Sequence, residues 1–563
     1  MTTYSFNLID RNWIWGIWRE DNRRELISLH TALTRAHELR EIHGDTPPET
    51  AALYRLMLTV LYCIFNPDED WGNLWSAGNF DQRKVDEYLR GHEIYPRFDL
   101  FDAQYPFFQL TQDNPAWPKK YKTVTVSNLR AHYASGNDAV LFDHHKKDAA
   151  LGREDDDGEG GTALMPAEAA RALVAQQAFG FAGLNDPGAP NKADKSFSNA
   201  PCARGVVFLL EGNTLFETLM LNFFSIDLEK DYGLPHKRTD KPAWELKDPF
   251  HDDPSRPYGY LDYATWLNRK VLLLPEGDSE NPIVRRIQYY VGMKRMAGNP
   301  FNPLMSLRPN PDAGKKKKDD DSESSTHLPL TFREGKMLWR DSAPLFGWYT
   351  ERSNNYLPPR AFEWVHSEML SKHHIEIGRQ FFFGAYGICS KSGQDKMYSY
   401  RAERFPLPID YLKETGADAA KQLQLALQRA ESAARILSPG GALGTFAREA
   451  LNTDDKNQVR NFVDATGAER YFWSRLEAHF VRLVEDLPQN SQEAVKTWND
   501  ALNKLARQAF EQAVRITGDS RSLRAYGKSA DLFEWQLNQV FNPTPPKAKE
   551  GDEKKSPRKS KSK

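Results

Sequence analysis

Leu53, Leu56, Met57, Val60, Leu61 and Ile64 fall at i, i+3, i+4, i+7, i+8 and i+11, one apolar stripe that predicts a helix over residues 48–65. Thr46-Pro47-Pro48-Glu49 supplies its start signal and Asn66-Pro67 its stop. The stretch from Arg97-Phe98-Asp99-Leu100-Phe101 to Tyr105-Pro106-Phe107-Phe108-Gln109-Leu110 is aromatic and turn-punctuated, and reads as irregular chain anchored in a core. Between residues 130 and 200 the pattern turns polar. Arg153-Glu154-Asp155-Asp156-Asp157-Gly158-Glu159-Gly160-Gly161 is a loop that cannot bury itself. A short helix is expected from Pro166 to Gln177, broken by Phe179-Gly180-Phe181-Ala182-Gly183 and followed by the polar stretch Asn185 to Asn199. A second insert, Lys315-Lys316-Lys317-Lys318-Asp319-Asp320-Asp321, reads as a solvated surface loop.

Beyond Pro406-Leu407-Pro408 the periodicity becomes mostly helical. Leu423, Leu427, Ala430, Ala434 and Leu437 form one stripe, ended by Ser438-Pro439-Gly440-Gly441. Phe472, Leu476, Phe480 and Leu483 form a second, stopped near Pro488, and Val495, Trp498, Leu502, Leu505 and Ala509 a third. A further segment, Ser520 to Val540, carries Leu532, Trp535 and Leu537. Amphipathic helices separated by breakers are what a bundle requires. The expected architecture is α+β. A large mixed domain over residues 1–405 precedes a four-helix bundle over 406–545, and a disordered basic tail covers 546–563. No internal repeat is visible.

Length and charge bound the rest. At 563 residues the chain has room for roughly two to four domains. Its 75 Lys+Arg against 77 Asp+Glu leave a net charge of −2, which excludes a generally polycationic nucleic-acid binder but not one charged face. Aromatics at 12% favour large packed cores or stacking surfaces. Cys63, Cys202 and Cys389 lie more than a hundred residues apart, which argues against a thiolate zinc site and for a reducing compartment. The N-terminus lacks the basic and apolar regions of a secretory signal. Apolar runs such as Leu56 to Phe65 fall short of the ~20 residues that span a bilayer. A soluble, cytoplasmic protein is expected.

The motifs of hydrolytic and metal chemistry (H-E-x-x-H, G-x-S-x-G, an EF-hand loop) do not occur. Gly527-Lys528-Ser529 ends like a phosphate loop, but Ser522 stands where the first glycine belongs. The pairs His144-His145 and His373-His374 read as polar surface, because adjacent side chains on a regular element point different ways. What remains is the glycine-containing loop and several basic clusters. Gly180 and Gly183 permit close backbone approach and positive φ, though most such loops are turns. The clusters Lys119-Lys120-Tyr121-Lys122, Lys146-Lys147, Arg285-Arg286 and Lys294-Arg295 could contact phosphates, although each taken alone reads first as a solvated face.

Taken in order, these segments resemble the CasA family, the large subunit of the type I-E CRISPR surveillance complex Cascade. The resemblance begins at Phe6-Asn7-Leu8-Ile9-Asp10-Arg11-Asn12-Trp13-Ile14 and continues through Tyr105-Pro106-Phe107-Phe108-Gln109 to Gln177-Ala178-Phe179-Gly180-Phe181-Ala182-Gly183. Gly393-Gln394-Asp395-Lys396, leading to Arg404-Phe405-Pro406-Leu407-Pro408, is similar to the family's wedge hairpin. Glu469-Arg470-Tyr471-Phe472-Trp473 resembles an aromatic helix start in its bundle.

The resemblance implies a non-catalytic subunit with no cofactor, no metal and no catalytic residues. Its implied partners are the other Cascade subunits, the CRISPR guide RNA, target double-stranded DNA and a helicase-nuclease, with no membrane. It implies recognition of a protospacer-adjacent motif through the minor groove and the start of strand separation. The implied DNA contacts are Gly180, Phe181, Ala182 and Gly183, a lysine finger at Lys294 with Arg295 behind it, and a wedge of Gly393, Gln394 and Lys396. Phe142, in the loop Ser135 to Gly161, would anchor contact with guide RNA or a neighbouring subunit. Ala182 stands where the family can carry another glycine, and Gly393 where a polar residue can occur. Some relatives also carry a cysteine cluster before the lysine finger, which this chain lacks. Two other readings remain from the residues themselves: a helical scaffold without DNA contact, and an independent hydrolase.

Overall fold

The structure, a computed structural model, describes residues 4–119, 121–126, 129, 163–184, 195–226, 240–253, 255–294, 302–311, 316–317, 320–323, 326–346, 356–370, 372, 380–390, 397–413, 416–515 and 520–542. The basic tail and the acidic loop lie outside these residues. The chain divides into two compact units, Met1–Lys421 and Gln422–Lys563.

The first unit opens with the alternating run Ile14–Trp18 (β1), paired antiparallel with Arg24–Ile27 (β2) and Leu39–His43 (β3) in the order β2-β1-β3. Between them Leu29–Thr34 (α1) is capped by Ser28, whose Oγ accepts from Thr31 N. The helix expected over 48–65 runs Pro47–Ile64 (α2), with Thr46 Oγ1 accepting from Glu49 N at 3.4 Å. Its apolar stripe understates its burial: every residue from Pro48 to Leu61 is buried, Glu49, Arg55 and Thr59 included. Arg55 and Thr59 are bonded within the fold, apart from Arg55 Nε, a buried donor with no partner among the described residues. Arg55 Nη2 donates to Tyr263 O at 2.9 Å, and Thr59 Oγ1 to Arg55 O at 2.8 Å. A central helix needs such partners because a buried donor left alone costs about 1–3 kcal/mol. Removing the cap with Thr46→Ala is expected to cost about 1 kcal/mol in denaturant unfolding.

Asn66-Pro67 proves to be a stop and a start together. Asn66 Oδ1 accepts from Asp68 N at 3.1 Å and begins Pro67–Ala77 (α3), with Gln82–Leu89 (α4) beyond. The aromatic stretch after Tyr95 is irregular, as its turn residues predict. Phe107 stacks on Phe108 with centroids 4.2 Å apart, Phe98 on Phe107 at 5.1 Å, and Trp244 lies 5.2 Å from Phe98. Phe108 sits at φ 54°, a left-handed conformation that costs a non-glycine residue about 1–3 kcal/mol and that this stack holds in place.

The site rests on three small sheets. Lys122–Thr125 (β4), Arg269–Gly277 (β8) and Pro282–Val291 (β9) pair in the order β4-β9-β8. The Ala-rich helix Pro166–Phe179 (α5) leads into Gly183–Leu184 (β5), which pairs with Ser196–Phe197 (β6). Val207–Glu211 (β7), followed by Leu215–Leu221 (α6), joins the long hairpin Gln380–Ser390 and Met397–Pro408 (β14, β15) in the order β15-β14-β7. Between these, Leu307–Pro309 (β10) pairs with His327–Pro329 (β13). The insert expected as a plain loop pairs Lys316–Lys317 (β11) antiparallel with Asp320–Glu323 (β12) as a short ribbon.

After Pro408 the described chain is mostly helical, with Ala417–Ile436 (α7), Ala442–Leu451 (α8), Lys456–Thr466 (α9), Ala468–Asp486 (α10), Ser491–Arg515 (α11) and Ser520–Phe541 (α12). Four are long, at 20, 19, 25 and 22 residues, and α8 and α9 are shorter additions at 10 and 11. Leu423, Leu427, Phe472, Leu476, Phe480, Trp498 and Leu502 are buried as their spacing predicts. Trp498 also satisfies its indole by donating to Ala426 O at 3.1 Å.

In α12 the expected core differs. Ala525, Ser529, Phe533 and Leu537 are buried at a spacing of four, whereas Trp535 is 60% exposed on another face. The Gly527-Lys528-Ser529 triplet lies inside α12. Ser529 donates to Tyr526 O at 3.1 Å and Lys528 pairs with Glu449 at 2.9 Å, so the triplet is helix interior rather than a phosphate loop. Among the described residues no helix is long and apolar enough to cross a membrane.

Candidate nucleic-acid interface

The glycine loop begins where α5 runs out of room to continue. Gly180 N donates to Gln176 O at 3.0 Å, and the chain then turns away with Gly180 at φ −56°. Glycine is needed there for proximity, not for a positive φ. A Cβ would lie 2.8 Å from Gln176 O, 2.9 Å from Gln176 Nε2 and 3.3 Å from Arg269 Nη2. Gly183 is the opposite case, with nothing of the described chain within 4 Å of an added Cβ and no left-handed φ. No contact within the described chain requires glycine at 183.

Beneath the loop lies Arg269, the first residue of β8 and 1% exposed. Its Nη2 donates to Phe181 O at 2.5 Å, its Nη1 to Ser198 O at 3.0 Å, and its Nε to the Tyr289 hydroxyl at 2.9 Å. Nη1 also reaches Asn268 through both its backbone and side-chain oxygens. The guanidinium lies 4.4 Å from the Phe197 ring centroid. Gln177 locks the arginine backbone from the helix side: its Oε1 accepts from Arg269 N and its Nε2 donates to Arg269 O, both at 2.9 Å. The same Nε2 donates to the carbonyl of the left-handed Phe108 at 3.3 Å. On the far side, Ala182 N donates to Asn199 Oδ1 at 2.8 Å and Ala200 N to Gly180 O at 2.7 Å.

Every acceptor around this guanidinium is neutral. Its charge therefore sits under the loop without a carboxylate among the described residues, an arrangement that favours an anion above it.

These contacts sort the residues that the sequence pointed to. Gly180 is buried and shapes the loop from below, and Phe181 is 3% exposed, so its ring is core rather than contact surface. Ala182 and Gly183 are half-buried and form the accessible edge. Lys294 follows β9, where Gly292 N donates to Asn268 O at 3.2 Å and Met293 N to Leu267 O at 2.9 Å. Asn268 and Arg269 thus tether both the glycine loop and the chain that delivers Lys294.

Arg295 lies outside the described residues. So do Gly393, Gln394 and Lys396, which belong to the connection closing the β14–β15 hairpin after the Ser390↔Met397 pair. Phe142, Lys146-Lys147, His144-His145 and His373-His374 are likewise outside them. Arg285 is paired with Glu276 at 2.9 Å. Arg269, Gln177 and Asn199 escaped the sequence reading. A glutamine pair closing an alanine-rich helix was the one available signal, and nothing in the local sequence marks Arg269 as buried.

Residues 7–509 match the family described as CRISPR-associated protein Cse1. The CRISPR-associated protein CasA/Cse1 of Thermus thermophilus is 28% identical over 561 residues, covering 95% of this chain and 98% of that protein. In fold, the chain is similar to Thermobifida fusca Cse1, with a TM-score of 0.75 and 21% identity over 96% of this chain and 98% of that one. It is also similar to a chain from a CRISPR RNA-guided surveillance complex, with a TM-score of 0.68 and 20% identity over 96% of this chain and 100% of that one.

Proposed function

This chain belongs to the CRISPR-associated Cse1 family, and from that premise we propose that it reads the protospacer-adjacent motif of a target duplex and begins its opening. It is the large subunit of a CRISPR surveillance complex, and in this reading it carries no catalytic centre, cofactor or metal. Guide RNA pairing reads the target, and the protein reads only the adjacent motif and the shape of the duplex. Its partners are the other Cascade subunits, the guide RNA, target DNA and a recruited helicase-nuclease, all in the cytoplasm.

The observation that carries the proposal is the slim edge at Ala182–Gly183, held from beneath by Arg269, with Lys294 two residues past the bond that ties Gly292 N to Asn268 O. A minor groove about 6 Å wide admits a backbone edge and one long cationic side chain, but little more. Rigidity matters because a loop that must order on binding loses affinity to that ordering. The hairpin connection with Gln394 is the proposed wedge. Unstacking one base step costs about a few kcal/mol, offset by groove contacts and by guide pairing. The Phe142 loop is proposed to meet the guide RNA or a neighbouring subunit.

The test uses the assembled complex and a duplex library randomised beside the target. Gly183→Val is expected to leave assembly and thermal stability at parent values while weakening target-duplex binding at least tenfold, about 1.4 kcal/mol, because nothing among the described residues crowds that position and a bound duplex would. Lys294→Ala should relax motif preference, whereas a phosphate contact would weaken all duplexes alike and reduce the salt slope by about 0.9. Parent-like binding and motif selection by Gly183→Val, Lys294→Ala and Gln394→Ala complexes would favour the scaffold reading instead.

A further inference from the structure

The helical unit carries a feature that motif reading does not use. Between α7 and α12 runs an open groove of about 680 Å³, lined by Leu425, Arg429, Arg435, Trp535, Gln536 and Gln539 among others. Trp535 is 60% exposed and Leu425 39% exposed. The groove floor is fixed, because Gln536 Oε1 accepts from Ala442 N at 3.0 Å and ties α12 to the start of α8.

The chemistry of the lining is one-sided. None of the lining side chains is Asp or Glu. Arg429 and Arg435 have no carboxylate within ion-pair distance among the described residues, although many surface arginines of this chain do. They stand six residues apart on α7, about 9 Å along the axis at 1.5 Å per residue. That length covers two to three nucleotides of a strand at about 3.4 Å each.

A large aromatic plane open to solvent, unpaired cations on the opposite wall and amide side chains between them are the parts from which single-strand platforms are built. Bases stack on the ring, arginines meet phosphates, and amides meet base edges without demanding a sequence. An exposed tryptophan retained purely for bundle stability gains little, because its ring lies off the Ala525–Phe533–Leu537 core. We infer that the α7–α12 groove binds single-stranded nucleic acid, with Trp535 as the stacking platform and Arg429 and Arg435 as its phosphate contacts. The inference is independent of the motif-reading site, since every residue in it belongs to the Gln422–Lys563 unit.

The experiment is fluorescence anisotropy of a labelled oligothymidine strand titrated with the full-length chain across a salt series. Trp535→Ala is expected to weaken binding by about fivefold or more, the lower end of what stacking one base contributes, and Trp535→Phe to retain most of the affinity. Arg429→Gln and Arg435→Gln should each flatten the log-affinity against log-salt slope by about 0.7. An abasic strand of equal length should bind the parent as weakly as oligothymidine binds Trp535→Ala, with no further loss in that variant. Circular dichroism checks that the helices survive these surface changes. Parent-like oligothymidine binding by Trp535→Ala would overturn the inference. So would displacement of the strand by an oligoglutamate peptide at equal charge concentration, which would assign the groove to an acidic protein face.

Discussion

Arg269→Met is expected to destabilise the Met1–Lys421 unit by at least about 2 kcal/mol, read as a lowered urea midpoint, because each buried acceptor left without a donor costs about 1–3 kcal/mol. The methionine stem fills part of the arginine's volume but strands the carbonyls of Phe181 and Ser198, while the Tyr289 hydroxyl keeps its donor in Gln176 Nε2 at 2.8 Å. Arg269→Lys should recover only part of the loss. One ammonium carries three donors from a single point and cannot match a planar fork whose acceptors lie on several sides. In the proposed function, the same substitution frees the loop edge at Ala182–Gly183. Complexes that still assemble should therefore bind target duplex more weakly and with flattened motif preference. An Arg269→Met chain with the parent's urea midpoint would show that this guanidinium does not hold the loop.

The buried pair Arg256–Asp262 should give an effect of similar size with a different signature. Arg256 Nε and Nη2 donate to the two Asp262 oxygens at 3.0 and 2.5 Å, and Nη1 donates to Pro249 O at 2.8 Å. Asp262 Oδ2 also accepts from Tyr258 N at 2.9 Å, and its side chain is fully buried. Arg256→Met leaves a carboxylate in a site that water does not reach, and is expected to cost about 3–5 kcal/mol. Asp262→Leu, which strands the arginine, should cost about as much. The double variant should cost less than the sum by more than about 1 kcal/mol, since neither charge then remains unpaired. Additivity in denaturant unfolding would mean that the pair is not coupled and that water reaches it.

How much of this was legible beforehand depended on whether the controlling interactions are local. The helix at Pro47–Ile64 announces itself through an i, i+3, i+4 pattern and a Thr46-Pro47 start, because helix hydrogen bonds close within four residues. Nothing in that pattern shows that Arg55 and Glu49 are buried as well. The distant groups they meet, Tyr263 O for Arg55 and the Arg171 guanidinium 4.0 Å from Glu49 Oε2, are brought there by the rest of the fold. The same division runs through α12. Its helical state follows from composition, but the choice between Phe533 and Trp535 for the core depends on which face meets α8 and α11. The family was visible too, since short motifs in a fixed order survive where no single motif is decisive, and residues 7–509 match it.

The candidate site divides in the same way. By itself, the sequence determined that a glycine loop ends an alanine-rich helix, that a basic cluster, Lys294-Arg295, lies further along the chain, and that a net charge of only −2 leaves room for local basic features. Only the tertiary structure decided that Gly180 is a packing glycine and Gly183 an unconstrained one, that the Phe181 ring faces inward, and that Arg269 lies beneath them. The reason is physical. Backbone periodicity is set by neighbours in the chain, whereas burial and hydrogen-bond partnership are set by neighbours in space. The 88 residues separating Arg269 from Phe181 put that partnership beyond any local pattern.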